Sequence, residues 1–401
     1  MTRNNKNCVK VNVRGIGCIC ALGSNINECM KNMFKGLRKT APPGRFSTDH
    51  AIEYPVFQIN ENIISTLSLE DNGLTLTARF GLAAVYQALD DARITPDDLE
   101  NRRVGVCMGT TVGCALNNDQ FYIDYKKGKN PGMGAINRFL NSNPAACVAR
   151  QLKLTGPVQT VVNACASGTD AIGIGASWIK AGLCDLVIAG GTDELCKVTY
   201  NGFISLMITD SDPCKPFDKT RKGLNLGEGA AAVILEPASE TPGADRTHKC
   251  CISGYASACD AYHLTAPKPD GQGLKKAVTR ALCDSNFTPS DIGFVNAHGT
   301  GTKDNDKVED HVLSKILPDT PFFSTKGYTG HTLGAAGAIE AVFTIQHLID
   351  GKIPGNIGFS QKDDALKQTP VEKSRNVSCK AAMSQSVAFG GNNSVLVFSK
   401  T

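Results

Sequence analysis

A cysteine stands where the residues around it could make it a nucleophile. The apolar run that ends at Val162 leads into Asn163-Ala164-Cys165, and a helix-like apolar pattern then continues to Gly182. This pattern predicts that Cys165 lies where a buried strand turns into a helix. Because unpaired N–H groups and the helix dipole favour an anion there, we expect a lowered pKa for the Cys165 thiol. The competing interpretation is a buried structural cysteine, since the chain contains 16 cysteines.

Two histidines stand in similar surroundings further along the chain. His298 lies in the turn Asn296-Ala297-His298-Gly299-Thr300-Gly301-Thr302, which follows an apolar run. His331 lies in a glycine-rich turn that begins at Lys326, and a third such turn is Phe389-Gly390-Gly391. A single loop histidine is usually structural or solvated. Two of them beside a candidate nucleophile favour one shared site.

An internal repeat indicates how a fold could bring these turns together. Residues 88–99 align without gaps with residues 281–292, and both copies share Ala, Leu, Asp, Thr, Pro and Asp. Each copy precedes a short apolar segment, at 104–108 and at 294–297. The repeat predicts two related α/β layers that face each other, with mostly parallel strands. Loops after corresponding strands would then meet at one site.

Local patterns predict the other elements. The segment 227–235 has a glycine-rich counterpart at 390–398, which extends the repeat to the end of each half. Residues 40–73 are predicted to be irregular. Residues 113–145 stay unassigned, although a segment of that length is usually functional or interfacial. The clearest remaining predictions are a strand over 9–19, helices over 27–37 and 75–91, and a buried strand that starts at Asp185.

The composition is typical of a soluble globular enzyme. Of 401 residues, 41% are hydrophobic and 20% are charged, and a net charge of +4 gives no indication of nucleic-acid binding. The chain starts without an apolar signal segment and has no apolar run long enough to span a bilayer, so we predict a cytoplasmic protein without membrane insertion. The cysteines are scattered through apolar segments without C-x-x-C spacing. This predicts reduced thiols and argues against a zinc or iron–sulfur site.

The three turns resemble the catalytic motifs of β-ketoacyl-acyl carrier protein synthases of the thiolase superfamily, closest to the elongating type with one cysteine and two histidines. Pro216-Phe217-Asp218, Arg221 and Gly227-Glu228-Gly229 also match, so the resemblance covers nearly the whole chain in order. It implies a duplicated five-layered α/β/α/β/α thiolase fold with two mixed, mostly parallel sheets. Residues 1–249 would form the half with the cysteine, and residues 250–401 the half with both histidines.

The resemblance also implies a reaction and its partners. These ketosynthases catalyse the decarboxylative Claisen condensation of a cysteine-bound acyl group with malonyl-acyl carrier protein, in fatty-acid, polyketide or specialised lipid synthesis. The substrates arrive on the phosphopantetheine arm of the acyl carrier protein, and neither a bound cofactor nor a metal is implied. A homodimer is expected, or a heterodimer with a related subunit.

Each site residue takes its role from the matching position of the family. Cys165 would carry the acyl group, and the backbone N–H groups of Cys165 and Phe389 would form the oxyanion hole. His298 and His331 would be neutral N–H donors to an enolate oxygen. Lys326 and Glu340 would orient His331 and polarise the site. The residues implied in substrate binding are Thr300, Thr302, Phe203, Val387, Gly390 and Gly391.

The last motif departs from the family pattern. Elongating synthases commonly have Phe-Gly-Phe-Gly-Gly, whereas this chain has Val387-Ala388-Phe389-Gly390-Gly391. Val387 therefore replaces the bulky residue that usually gates the acyl pocket. Gly327, Tyr328 and Thr332 also differ from the usual residues. These departures favour specialised chemistry, such as a polyketide or an unusual lipid pathway, over ordinary fatty-acid elongation.

Three alternative functions stay open. A thiolase-like or decarboxylating acyltransferase would share the fold, but thiolases use a second cysteine in place of one histidine. A non-catalytic chain-length partner of a ketosynthase heterodimer would also share it, although such partners usually lack the cysteine. A papain-like hydrolase would need one histidine and an orienting amide in another fold, which the paired halves disfavour.

Overall fold

The computed structural model describes residues 10–67, 73–111, 118–238 and 248–400. Its strands are β1 (Val11–Cys20), β2 (Val104–Gly109), β3 (Val158–Val161), β4 (Leu186–Asp193), β5 (Gly229–Pro237), β6 (Cys250–Cys259), β7 (Ile292–Asn296), β8 (Phe322–Phe323), β9 (Lys352–Ile353), β10 (Arg375–Asn376), β11 (Ala381–Ala388) and β12 (Asn392–Ser399). Its helices are α1 (Ile26–Phe34), α2 (Glu61–Thr66), α3 (Leu76–Asp91), α4 (Asp119–Lys126), α5 (Gly134–Asn141), α6 (Pro144–Gln151), α7 (Ser167–Lys180), α8 (Lys197–Ser205), α9 (Gln272–Ser285), α10 (Lys303–Ile316), α11 (Lys326–Thr329) and α12 (Ala336–Asp350).

The strands join into a ten-stranded sheet made of two halves with the same strand order. The order runs β3-β2-β4-β5-β1 and continues β6-β12-β11-β7-β8, while β9 and β10 pair separately. Counted inward from its outer edge, the second half has the order β8-β7-β11-β12-β6. These strands correspond one by one to β3-β2-β4-β5-β1 of the first half. The two halves are joined where β1 pairs with β6, with Val11–Val13 opposite Cys250–Ile252.

Strand direction follows the same pattern in both halves. In the first half, β2 pairs parallel with β3 and β4, whereas β5 pairs antiparallel with β4 and β1. In the second half, β7 is parallel to β8 and β11, whereas β12 is antiparallel to β11 and β6. The sheet is mixed, as predicted. The expectation of mostly parallel strands is also confirmed, because four of the five strands in each half run in the same direction and the fifth, β5 or β12, runs antiparallel to both of its neighbours.

Helices pack outside the two halves and between them. α3 covers the first half along β1, β4 and β5, and α9 covers the second half along β6 and β12. α7 and α12 contact each other and strands of both halves, so they form the central layer. Ile172 and Ile179 of α7 lie in the same buried apolar cluster as Ile339 and Phe343 of α12. This is the five-layered α/β/α/β/α arrangement expected, and the α/β prediction is confirmed.

The repeat in the sequence corresponds to two helix–turn–strand units. α3 leads through a 3-10 turn into β2, and α9 leads through a 3-10 turn into β7. Both turns begin with a capping box, formed by Thr95 with Asp98 and by Thr288 with Asp291. The Thr and Asp residues that the two copies share are therefore the capping residues. The duplication predicted from the sequence is confirmed at this level.

Other local predictions have mixed outcomes. The first strand and the helices near 27–37 and 75–91 are present with small shifts at their ends. Residues 40–73 are not irregular throughout, because they include α2. The unassigned segment contains α4 and α5 and the start of α6, and its residues 113–117 lie outside the described ranges. The predicted boundary between residues 249 and 250 falls directly before β6 and stays a prediction.

Two chain-wide observations bear on the sequence predictions. Each of the fourteen cysteines within the described ranges is a free thiol, as the scattered spacing predicts. In the same part of the chain, no helix combines the length and the apolar character needed to cross a bilayer.

Candidate active site

Cys165 lies in a tight turn between β3 and α7, as the sequence predicts, although β3 is mostly exposed and not the buried strand expected. Ala164 has a φ of 48°, an unusual left-handed conformation for a residue with a side chain. Ser167, the first residue of α7, holds this turn, because its Oγ accepts the Asn163 N–H at 2.8 Å and donates to the Ala164 carbonyl at 2.6 Å. The thiol is buried at the positive end of α7.

His331 lies next to the nucleophile. Its Nε2 is 3.1 Å from the Cys165 Sγ, and its Nδ1 accepts the Leu333 N–H at 3.2 Å. Because Nδ1 accepts a hydrogen bond, a neutral imidazole at this position carries its proton on Nε2. The Nε2–H group therefore points at the sulfur. It can donate to a thiolate or to a substrate oxygen that takes its place.

His298 also carries its proton on Nε2, but a different residue fixes it there. The Lys326 ammonium donates to His298 Nδ1 at 2.9 Å and to the His298 carbonyl at 2.7 Å. Its third contact is the Glu340 carboxylate, with which it forms a buried ion pair. Lys326 therefore fixes the proton of His298 on Nε2. The expectation that Lys326 and Glu340 orient His331 is wrong, because Lys326 donates to His298 and the Glu340 carboxylate accepts from Lys326.

The two imidazoles form one neutral donor pair. Their ring centroids are 5.2 Å apart in an edge-to-face arrangement. Burial lowers the pKa of His298 well below its ordinary value, and the Lys326 charge and the neighbouring His331 lower this pKa further. Burial and Lys326 lower the pKa of His331 in the same direction. Both rings are therefore neutral near pH 7.

The pKa of Cys165 differs from the expectation. Burial raises it to about 11, although the Lys326 charge and a hydrogen bond from the Phe389 N–H act in the opposite direction. The predicted lowering of the pKa is wrong, because the cost of burying a thiolate outweighs the helix terminus and these donors. At neutral pH the resting residue is therefore a thiol.

Phe389 places its backbone N–H beside the sulfur. It follows β11 in a turn where Gly390 has a φ of 81° and Gly391 a φ of 75°. These left-handed conformations turn the chain back into β12. The Gly390 N–H donates to the Leu264 carbonyl at 2.7 Å, and the Gly391 carbonyl accepts the Asp260 N–H at 2.7 Å. The turn is thus fixed on both sides, and the Phe389 N–H is positioned to stabilise an oxyanion.

A cavity of about 300 Å³ opens onto the sulfur and both imidazoles. Phe203 stacks on Phe389 with ring centroids 5.5 Å apart, and its ring lies 6.5 Å from that of His331. Thr300 and Thr302 share a hydrogen bond of 2.8 Å between their hydroxyl groups. The predicted substrate-binding residues that line the cavity are Phe203, Thr300, Thr302 and Val387.

Buried carboxylates hold the loops that carry the histidines. Glu309 accepts the N–H groups of His298 and Gly299 at 2.7 and 2.6 Å, and burial raises its pKa to about 7. Asp306 accepts the Gly301 N–H at 3.2 Å. These contacts make both carboxylates structural partners of the His298 loop.

Two supporting residues were missed by the sequence interpretation. Asp193, at the end of β4, accepts the Gly334 N–H at 2.6 Å just after His331, and burial raises its pKa to about 6. Asp170 in α7 accepts hydrogen bonds from Asn163 and Tyr255. The only signal in the sequence was that each is an acidic residue within an apolar run. The donors Tyr255 and Gly334 are far away along the chain, so no local pattern could reveal these contacts.

Comparison with known proteins places the whole chain in one family. The family model "Beta-ketoacyl synthase, N-terminal domain" matches residues 9–241, and "Beta-ketoacyl synthase, C-terminal domain" matches residues 249–360. The 3-oxoacyl-[acyl-carrier-protein] synthase 2 of Synechocystis sp. is 32% identical over 407 residues, which cover 98% of each chain.

Solved structures give the same result. The ishigamide ketosynthase/chain length factor superposes with a TM-score of 0.91 at 27% identity, over 98% of this chain and 99% of that one. A type II polyketide acyl carrier protein in complex with its ketosynthase, bound to the hexaketide, gives a TM-score of 0.88 at 25% identity. That match covers 98% of this chain and 100% of the other.

Proposed function

The chain belongs to the beta-ketoacyl synthase family, and we propose that Cys165, His298 and His331 are the residues with which it condenses acyl groups. The protein is an acyltransferase that joins an enzyme-bound acyl group to malonyl-acyl carrier protein with loss of carbon dioxide. One observation carries the assignment of residues. The Cys165 Sγ lies 3.1 Å from the Nε2 of His331, inside a cavity that His298 also lines.

The first step moves the acyl group onto Cys165. The sulfur attacks the thioester carbonyl of the incoming acyl carrier, and the carbonyl oxygen becomes an oxyanion that accepts the N–H groups of Phe389 and Cys165. The sulfur–carbon bond to phosphopantetheine then breaks. The proton of the Cys165 thiol ends on the leaving thiol, so the exchange is balanced without a charged base. The neutral His331 Nε2–H donates to the sulfur as its negative charge develops.

The second step forms the new carbon–carbon bond. The malonyl carboxylate leaves as carbon dioxide, and the electron pair of the broken carbon–carbon bond stays on the remaining thioester as an enolate. The enolate oxygen accepts hydrogen bonds from the Nε2–H groups of His298 and His331. The enolate carbon attacks the acyl-Cys165 carbonyl, and the sulfur–carbon bond breaks to release the β-ketoacyl product. The Cys165 thiolate then takes a proton from solvent. Two neutral donors suit this step, because a protonated imidazole could quench the carbanion by giving it a proton.

Supporting roles follow from the contacts of the remaining residues. We assign Lys326 and Glu340 to holding the His298 tautomer, and Thr300 and Thr302 to binding the pantetheine arm at the cavity wall. Gly390 and Gly391 shape the turn that presents the Phe389 N–H. Val387 leaves more room in the cavity than the bulky residue common at this position. This supports acyl groups of specialised lipid or polyketide type as substrates.

The alternative functions are less well supported. A non-catalytic chain-length partner would not need a cysteine, two neutral imidazoles and an oxyanion N–H around one cavity. A thiolase-like enzyme would have a second cysteine near the first, and the catalytic pair here is two histidines. The substrates of this chain would arrive on an acyl carrier protein, the partner named for the relative from Synechocystis. The absence of a cofactor and the cytoplasmic location stay predictions from the sequence.

We also propose that a second chain covers the outer edge of the first half. The edge strand β3 pairs only with β2 among the described strands, and Val158 and Val162 are 42% and 66% exposed there. In the first half, α4 also exposes Tyr122 and Tyr125. An edge strand with exposed apolar side chains favours pairing with another chain. A homodimer would satisfy it, and so would a heterodimer with a related subunit. Light scattering of the purified chain distinguishes a homodimer from a monomer, and light scattering after a related subunit is added tests the heterodimer.

Intact-protein mass spectrometry tests the assignment of Cys165. Incubation with a panel of acyl-acyl carrier proteins of different chain lengths should add one acyl mass to the wild-type protein and none to Cys165→Ala. His298→Ala should still become acylated but should not form the condensed product. Cys379→Ala, which changes a cysteine far from the cavity, is the matched control and should behave as wild type. Acylation of Cys165→Ala, or no acylation of the wild type by any donor, would contradict the proposal.

A further inference from the structure

A buried hydrogen-bond cluster around Asp170 ties the nucleophile turn to the opposite half of the molecule. Asp170 lies in the first turn of α7, one helical turn beyond Cys165. One of its carboxylate oxygens accepts the side-chain amide of Asn163, two residues before Cys165. The other accepts the Tyr255 hydroxyl at 2.9 Å and the Ser394 hydroxyl. Tyr255 lies on β6 and Ser394 on β12, both in the second half.

The packing around the cluster is built for this contact. A Cβ at Gly173 of α7 would lie 2.2 Å from the Tyr255 ring, so only glycine allows the phenol to lie against the helix. Burial and the Asp170 charge raise the pKa of Tyr255, which keeps its hydroxyl as a donor. A carboxylate that accepts three donors in a buried site is a strong and specific anchor.

The Asp170 cluster holds a strained segment of backbone, the turn at residues 163–165. Ala164 lies between Asn163 and Cys165 in a left-handed conformation, which persists only where its neighbours enforce it. The second half also carries His298, His331 and the Phe389 N–H. The sulfur must keep its distance to these groups while the acyl group changes carriers. A link between Asn163 and strands β6 and β12 fixes the two halves relative to each other at this point.

We propose that Asp170 is a positioning residue for Cys165, which it aligns with the imidazoles and the oxyanion N–H groups through Asn163, Tyr255 and Ser394. This inference rests on the proposed function of Cys165 as the acyl carrier. It deepens that function, because it assigns the alignment of the nucleophile to a residue that touches neither the substrate nor the sulfur.

The two half-reactions separate this role from a general structural one. Acylation needs the aligned sulfur, whereas decarboxylation of malonyl-acyl carrier protein depends on the two histidines. In Asp170→Ala we expect the acylation rate to fall by about tenfold or more, as for a small misplacement of a reacting group. The release of carbon dioxide should change by less than about threefold. Ser177→Ala, also in α7 but outside the cluster, should leave both rates unchanged.

A charge exchange provides the rescue. Asn163→Asp alone sets two carboxylates against each other and should slow acylation as Asp170→Ala does. Asn163→Asp combined with Asp170→Asn restores a donor opposite an acceptor, so acylation should recover. Tyr255→Phe, which keeps the ring, should show a smaller loss of the same kind if Asp170→Ala does not fold.

The outcomes are distinct for the two proposals. Equal losses in both half-reactions, or unchanged acylation in Asp170→Ala and Tyr255→Phe, would overturn the positioning role. The same experiment includes the wild-type protein with the acyl donor that reacts fastest. If the wild type itself is not acylated, the proposed function of Cys165 fails, whatever Asp170 does.

Discussion

Lys326 is the residue on which the state of the imidazole pair depends most directly. It is fully buried, and its three hydrogen bonds go to His298 Nδ1, the His298 carbonyl and Glu340. The ammonium group thus has no free donor for the substrate. Its work is to set the tautomer of His298 and, by its charge, to keep both imidazoles neutral. Glu340 compensates that charge, and burial raises the pKa of Glu340 to about 7.

Replacement of Lys326 by methionine should therefore impair condensation and spare acylation, whereas Asp170→Ala should impair acylation. His298 would lose the donor that keeps its proton on Nε2, and we expect condensation to fall about 100-fold, the usual effect of losing one aligned donor. Acylation of Cys165, measured by intact-protein mass spectrometry, should stay within about threefold. Lys307→Met on the exposed face of α10 is the matched control.

Stability distinguishes the tautomer effect from the loss of the ion pair. Lys326→Met leaves Glu340 buried without its cation, which should cost about 3 kcal/mol in the free energy of unfolding. The neutral pair Lys326→Met with Glu340→Gln should recover most of that stability but none of the condensation rate. Recovery of the rate together with the stability would show that Lys326 acts through the fold alone.

Residue types were predictable from the sequence, but their pairings were not. Cys165, His298 and His331 each follow a short strand, and the glycine-rich turns indicated them. Lys326 is five residues before His331 in the chain, yet it binds His298 because α11 turns its side chain toward the loop after β7. The raised pKa of Cys165 is likewise a property of burial. Burial of a single atom depends on the packed molecule and not on its neighbours in sequence.

At the scale of elements, the site depends on how closely α7 and α12 approach. Both helices begin directly after a catalytic turn, α7 after Cys165 and α12 after His331. A Cβ at Gly168 would lie 2.7 Å from the Ala338 nitrogen, and a Cβ at Gly337 would lie 2.0 Å from the Thr169 hydroxyl. The helix starts therefore cross at two glycines. This crossing brings the positive end of α7 and its sulfur to the imidazole of His331.

Gly168→Ala tests the importance of this approach. The added methyl group must push the start of α7 away from α12, which should lower the free energy of unfolding by about 2 kcal/mol. Because the sulfur moves with α7, acylation and condensation should both fall at least tenfold. Gly202→Ala in α8 is the matched control, since a Cβ there meets only open space. Thermal unfolding and the acylation assay together check the result; wild-type activity in Gly168→Ala would contradict it.

The repeat made the element order and the mostly parallel strands predictable, whereas the antiparallel direction of β5 and β12 was not. The capping residues Thr95 and Thr288 recur at the same place in both halves, so the aligned segments at 88–99 and 281–292 identified corresponding units. β5 and β12 were recognised as counterparts, but a short apolar strand has no sequence signal for its direction. Direction is fixed by how far the chain travels before it returns to the sheet, and that distance depends on the whole packing.

The whole molecule buries ionisable groups with opposite effects on stability. Glu309 and Glu340 have raised pKa values of about 7, so they favour folding at lower pH. His298, His331 and His347 have lowered pKa values and favour folding at higher pH. The two sets partly cancel near neutrality. A single buried histidine outside the site is needed to measure one of these contributions alone.

His347 provides that measurement. It lies in α12 between the rings of Phe34, Phe294 and Phe323, with its Nδ1 2.9 Å from the Lys352 carbonyl. Burial lowers its pKa to about 3. The unfolded chain binds the extra proton at higher pH than the folded protein does, since the ordinary histidine pKa is about 6.5. The contribution to stability is therefore fully present above that value and is lost as the pH falls toward 3.

Urea unfolding of the wild type and of His347→Phe should show this difference. Between pH 6.5 and pH 5.5 the wild type should lose about 1 kcal/mol more than the variant, close to the limit of about 1.4 kcal/mol per pH unit for one proton. His263→Gln, on the surface, should follow the wild type. A variant that loses stability as steeply as the wild type would show that the folded protein protonates His347 without cost. The aromatic enclosure would then have to open before global unfolding, and α12, which also carries Glu340, would be less rigid than the site requires.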